Sequence, residues 1–179
     1  VFPVKSLDPH QLDSAMVRAG GGLTHDREFA IVDTNGNYVN GKREPATHRL
    51  RSTFIPEGPA LTVHEEGTGA ETATRFSLTD DEREPLELWL SEFFGYEVQI
   101  QRDEQTGYPD DMTATGPTVV STGTLEAVAA WFEFGPDAAR RRLRPNLVID
   151  APAFWEDRLY SATDRDRVVP FDIGQTTFE

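Results

Sequence analysis

Four arginines, Arg140, Arg141, Arg142 and Arg144, crowd the stretch RRRLRPNLVID at residues 140–150, directly before an apolar, strand-like run. Two further bases stand in similar places. Lys5 lies in FPVKSL, inside an apolar strand-like start, and Arg27 follows Asp26 where EFAIVD opens. A guanidinium grips phosphate or carboxylate through paired N–H donors, and an ammonium adds a compact charge with three donors. Bases at strand mouths are therefore candidate ligands for a phosphate or another anion. Ser6, Ser121, Thr122, Thr124 and Asn146 add neutral hydrogen-bonding groups. For any single base, an ion pair with the abundant Asp and Glu is the simpler reading. For the set, the residues alone leave both readings open.

Other chemistries find little support. His10, His25, His48 and His64 are scattered, with neither H-x-H nor H-E-x-x-H spacing. Gly20-Gly21-Gly22 lacks the G-x-x-x-x-G-K-[ST] spacing of a phosphate loop and reads as a turn. Ser121 sits in VVSTGTL without the G-x-S-x-G elbow of a hydrolase. Asp80-Asp81 and Asp110-Asp111 read as solvated loop charges, not an EF-hand. The absence of cysteine removes disulfides, thiolate metal sites and cysteine nucleophiles from these residues.

The elements that must position the bases read as a β-rich α+β fold, barrel-like, with a few helices. REFAIVDTNGNYVN carries two β-rich runs around Asn35-Gly36, a hairpin signal. Short strands follow at RLRSTFI, ALTVHE, TRFSL and YEVQIQR. PLELWLSEFFG places Leu86, Leu90, Phe93 and Trp89 on one helical face and stops at Gly95. After the turn-rich DEQTGYPDDMTATGP come the strand TVVS and a helix in TGTLEAVAAWF. Thr124 is its expected cap, with Leu125, Val128, Ala129 and Phe132 inward. NLVID reads as a short buried strand, and RVVPFDIGQTTFE starts another. With 31 acidic against 17 basic residues, a net charge of −14 and only two lysines, the surface resists nucleic acid and anionic membranes. No apolar run approaches the ~18 residues of a membrane span, and VFPVKSLDPH lacks the pattern of a signal peptide. An acidic, lysine-poor surface looks like those of halophilic archaea, so a salt-rich cytoplasm is the expected setting.

FPVKSL, GLTHDREFAIVDTNGNYVNGKREP, VVSTGTL and RRLRPNLVID followed by FWEDRLY occur in one order across nearly the full chain. Together they resemble the MOSC family, named for the C-terminal domain of molybdenum cofactor sulfurase and including the mitochondrial amidoxime-reducing component and bacterial relatives. The resemblance implies an N-terminal β-barrel domain over residues 1–111 and the start of the MOSC domain over 112–179. It also implies a molybdenum cofactor, a pyranopterin (molybdopterin) with a terminal phosphate. The family's P-V-K-S motif matches Lys5 and Ser6, and its D-R-E arginine matches Arg27. Its R-F-R-P-N motif matches Arg144 and Asn146, with Leu143 replacing phenylalanine. Ser121, Thr122 and Thr124 fall where the family has other polar residues near the cofactor, and Arg142 is the expected helper among the remaining arginines; the resemblance thus implies that Lys5, Arg27 and Arg144 converge on one pocket.

Family members hold molybdenum through a cysteine thiolate in a strand after the motif resembling FDIGQTTFE. We therefore expect a chain cut short before that ligand, without reductase activity of its own; a naturally cysteine-less variant is the alternative. Intact, the resemblance implies an oxidoreductase that reduces N-hydroxylated or N-oxygenated small molecules. Its electrons would come from a redox partner protein or a fused iron–sulfur domain. The resemblance also implies pyridoxal phosphate binding at the level of the family. Two other readings stay open: a non-catalytic module binding the cofactor or a sulfur carrier, and a general anion-binding β domain.

Overall fold

The structure, a computed structural model, describes residues 1–160, 163 and 169–178. Two compact units are present, Val1–Gly116 and Pro117–Glu179.

In the first unit, β1 (Phe29–Asp33) has its first four residues buried, so the strand is covered on both faces. The next elements are β2 (Leu50–Ile55), β3 (Ala60–Glu65), β4 (Thr74–Ser77), α1 (Glu84–Phe94) and β5 (Val98–Arg102). β2, β3 and β4 form an antiparallel sheet in that order, and β1 pairs antiparallel with β5. The expected Asn35-Gly36 turn forms, with Gly36 at a φ of 78°. Its second arm is short, a bridge between Val32 and Tyr38. Asp33 Oδ1 holds the turn by accepting the N–H groups of Asn35 and Asn37 at 2.9 and 2.8 Å.

α1 forms where its periodicity places it. Pro85 stands in the first turn, Leu86 and Leu90 are fully buried, and Gly95 closes the helix in the left-handed conformation. The helix also satisfies one edge of β5. Glu87 Oε1 accepts the Ile100 N–H at 2.8 Å and Ser91 Oγ accepts the Val98 N–H at 3.0 Å. Donors that would otherwise template a foreign strand are thus engaged.

The second unit contains β6 (Val119–Ser121), α2 (Thr122–Trp131), α3 (Pro136–Leu143) and β7 (Leu147–Ile149). The hairpin β8 (Phe171–Ile173) and β9 (Thr176–Phe178) completes it. β6 and β7 pair in parallel, as a crossover through helices requires. Three expectations change here. Ser121, not Thr124, caps α2, because the serine Oγ accepts the Thr124 N–H. Phe132 lies past the helix end, exposed, and stacks on Phe134. β7 is half-buried rather than buried. Arg167 and Val168 of the last strand expectation lie outside the described residues; the hairpin follows Pro170.

Candidate functional site

The N-terminal segment brings Lys5 and Arg27 together. Residues 2–5 run parallel to the opening of β1. Phe29 N–H donates to Pro3 O, Lys5 N–H to Phe29 O, and Arg27 N–H to Phe2 O, all at 2.8–3.0 Å. Asp26 Oδ1 accepts the Phe2 N–H at 2.8 Å and pins the start of the segment. Apolar burial of Phe2, Val4 and Leu7 drives this docking and carries the Lys5 stem inward.

The loop after β5 then folds back over the lysine. Asp103 Oδ1 accepts the N–H groups of Gln105 and Thr106, turning the chain. Gly107 passes so close to Asp26 O and Arg27 O that a Cβ would lie 3.0 Å from each, and its φ is 71°. Tyr108 N–H donates to Arg27 O at 2.8 Å. Lys5 Nζ consequently has three acceptors: Tyr108 O at 2.9 Å, Pro109 O at 3.3 Å and Asp110 Oδ1 at 2.6 Å. An ammonium has three protons, so all are used.

Asp110 also faces Arg27, its Oδ2 lying 3.9 Å from the guanidinium Nε. One carboxylate therefore spans both predicted bases. Arg27 Nη1 additionally pairs with Asp26 Oδ2. Burial alone would raise the Asp110 pKa. The Lys5 hydrogen bond and the charges of Lys5, Arg27 and Lys42 outweigh it and hold the carboxyl below its ordinary range. Asp110, expected to be a solvated loop charge, is a member of the cluster. No sequence pattern marked it.

The backbone at these positions is unusual. Among the described residues six non-glycine positions have positive φ, and three of them are predicted site residues: Ser6 at 74°, Arg27 at 48° and Arg144 at 51°. Such conformations cost ~1–3 kcal/mol each and concentrate where function demands them.

Sequence reasoning missed Glu28, which is 3% exposed. Its Oε1 accepts Arg102 Nε at 2.8 Å and Arg102 Nη2 at 2.7 Å. Its Oε2 faces His25 Nδ1 at 2.9 Å and Arg18 Nη2 at 3.5 Å. The D-R-E triplet thus divides its work. Asp26 pins the N-terminal segment, Arg27 faces Asp110, and Glu28 anchors β1 to β5 and to the preceding loop.

The remaining predicted residues lie in the second unit. Asn146 Oδ1 accepts both the N–H and the hydroxyl of Thr118 at 3.1 Å, joining the approaches to β6 and β7. Arg144 is the left-handed cap of α3. The arginine cluster itself is mostly helical: Arg140, Arg141 and Arg142 occupy the last turn of α3, where cations complement the helix dipole. Arg142 lies over the Phe134 ring at 4.5 Å and donates to Ala138 O.

Ser121 and Thr124 are committed to the loop after β7. Ser121 is fully buried, with its Oγ 3.0 Å from Pro152 O. Thr124 Oγ1 donates to Glu156 Oε2 at 2.8 Å and accepts the Phe154 N–H at 2.7 Å. Glu156 Oε1 also takes the Ser121 N–H, so a carboxylate fills the start of α2. Thr122 Oγ1 lies 3.3 Å from Asp150 Oδ1. The adjoining shallow depression is lined by Thr122, Glu126 and Asp150 among others, an acidic setting unsuited to a phosphate.

Burial pushes Glu156 up, but hydrogen bonds from the Ser121 and Glu156 N–H groups and from the Thr124 and Ser121 hydroxyls bring it below 4.5. A depressed carboxyl stabilises the fold above its unfolded value and loses that contribution as pH falls through the lower, folded one. The start of α2 should therefore loosen on acidification below about 4.5. Following the Ser121 and Thr124 amide resonances against pH checks this. Glu156→Gln should flatten their response, and an unchanged titration would refute the assignment.

Among the described residues no cluster of three or more His, Cys, Asp or Glu could hold a metal, and no helix is long and apolar enough to cross a membrane. The donors suit a phosphate in the first unit, where a turn of the exposed Asp110 side chain would release one Lys5 proton and uncover Arg27. They do not suit molybdenum, since the sequence offers no thiolate.

No curated protein and no solved structure gives a significant match to the chain. Over residues 1–133 it matches the MOSC N-terminal beta barrel domain. That span takes in Lys5, Ser6, Arg27, Ser121, Thr122 and Thr124, and ends before Arg142, Arg144 and Asn146. With well over half its length matched, and a β-rich α+β architecture over that span, the chain belongs to the MOSC family through its N-terminal beta barrel domain.

Proposed function

We propose that the chain binds the pyranopterin of a molybdenum cofactor by its terminal phosphate, as part of an oxidoreductase acting on N-hydroxylated or N-oxygenated small molecules. The observation that carries this reading is the placement of Lys5 and Arg27, distant in sequence, on the two oxygens of one carboxylate. Two fixed cations around one oxyanion position are what a phosphate monoester requires. Lys5 and Arg27 would hold the phosphate, and Ser6, at the adjacent left-handed turn, would orient it. Arg144 and Asn146, and with them Arg142, are assigned to the cofactor by the family resemblance. The fully engaged Ser121 and Thr124, with Thr122 beside them, would act by shaping the loop at residues 150–156.

When bound, the cofactor supplies two-electron chemistry and oxygen transfer at molybdenum. This chain's residues would bind and orient its pterin; they offer no thiolate for the metal. Electrons would reach it from a separate redox protein or a fused iron–sulfur domain. The acidic, lysine-poor surface supports a salt-rich cytoplasm as its setting.

The missing thiolate also supports a second reading, in which these residues form a cofactor-binding or sulfur-carrier-binding module without turnover. The oxidoreductase reading and the cofactor-binding form of the second both predict pterin binding; a sulfur-carrier module would bind none. Pterin released from protein purified from a cofactor-producing host can be oxidised and measured by fluorescence. Each charge-assisted contact contributes ~1.5–3 kcal/mol, so Lys5→Met, Arg27→Met and Arg144→Ala should each reduce pterin retention about tenfold or more. Wild-type protein without pterin, or variants that retain it fully, would overturn the reading.

A further inference from the structure

Lys5 and Arg27 are nearly buried, with side chains 8% and 12% exposed, whereas the Asp110 side chain that spans them is 73% exposed. With Asp26 and Asp110 in place, the two positive charges meet two negative ones. Turning Asp110 outward would leave one net positive charge, one unpaired ammonium proton and an uncovered guanidinium edge. The other two Lys5 protons would stay on Tyr108 O and Pro109 O, so the loop backbone need not move.

We propose that the Asp110 carboxylate is a built-in competitor in the anion site, displaced when a ligand binds, so that monoanionic carboxylates are held below effective affinity while dianionic phosphate monoesters, drawn more strongly to Lys5 and Arg27, still displace it. This deepens the phosphate-binding reading and rests on it. An incoming carboxylate would replace Asp110 by a group of equal charge, and would do so against an internal ligand at high effective concentration. A phosphate carries about −1.5 to −2 charge and three acceptor oxygens. It can meet Lys5 and Arg27 together and adds Coulombic attraction that the aspartate lacks. The depressed pKa of Asp110 is consistent with the positive field at this point.

The test is calorimetric titration of inorganic phosphate and of acetate, at fixed ionic strength, into wild type, Asp110→Asn and Asp110→Asn/Lys5→Met. Thermal melting verifies that each protein is folded. In Asp110→Asn, phosphate should bind about tenfold tighter or more, and acetate binding should become measurable. The double variant should lose both gains. Asp110→Glu, which keeps the competing charge, should stay close to wild type; Asp110→Ser removes that charge and serves if the asparagine variant fails to fold. Unchanged or weaker phosphate binding by folded Asp110→Asn, a gain that persists without Lys5, or a gain in Asp110→Glu equal to that expected of asparagine would overturn the proposal. If the phosphate gain appears but no variant retains pterin, the cofactor reading alone fails. Pterin retention without a phosphate gain removes the competitor alone.

Discussion

Glu28→Leu is expected to lower the stability of the first unit by about 3 kcal/mol or more. The carboxylate is 3% exposed and is the shared partner of Arg102, Arg18 and His25. Its removal strands charges that burial keeps from water. Arg18 Nη1 is already buried without a hydrogen-bond partner among the described residues, so that guanidinium has little left to fall back on. Arg102 retains Glu104 at 2.7 Å, which limits the loss on its side. Removing the partner as well, in Glu28→Leu/Arg102→Leu, should recover part of the stability, since breaking a buried pair costs more than replacing it with apolar groups. Urea unfolding of the three proteins measures this. A single variant as stable as wild type would show that the network contributes nothing net.

Gly123→Ala should damage the second unit by a comparable amount for a steric reason. A Cβ at this position would lie 2.3 Å from Ala153 N, 2.7 Å from Pro152 C and 3.0 Å from Ala151 O. All three are backbone atoms, so no side chain can rotate away. The loop at residues 150–156 must shift, and with it Glu156 leaves the start of α2. Overpacking of this kind costs ~1–3 kcal/mol, and loss of the capping carboxylate adds ~1 kcal/mol. The amide resonances of Ser121 and Thr124 should move and the melting temperature fall. A variant with wild-type melting and unmoved amides would contradict the close approach.

What the sequence made legible follows from how local each signal is. α1 could be read because Leu86 and Leu90 lie one turn apart and Gly95 ends the pattern. α3 was hidden because it is short and mostly charged and buries only Ala139, so its apolar face is too small to mark a helix. Its signals were the weaker ones, Pro136 and Asp137 in the first turn and arginines in the last. The docking of residues 2–5 on β1 left no local mark, since it depends on contacts some 25 residues away. The meeting of Lys5 with Arg27 therefore came from motif resemblance and not from spacing. Asp110 carries no signal at all: its role is set by where Gly107 allows the loop to pass.

The central claim is that Lys5 and Arg27 recognise a phosphate on a pterin. The most direct measurement compares binding of the oxidised, phosphorylated pterin released from the cofactor with binding of the same pterin after phosphatase treatment. Loss of two charge-assisted contacts predicts about tenfold or greater weakening on dephosphorylation; Lys5→Met should shrink that difference and Lys5→Met/Arg27→Met should erase it. Equal affinity of wild type for the two pterins would contradict it.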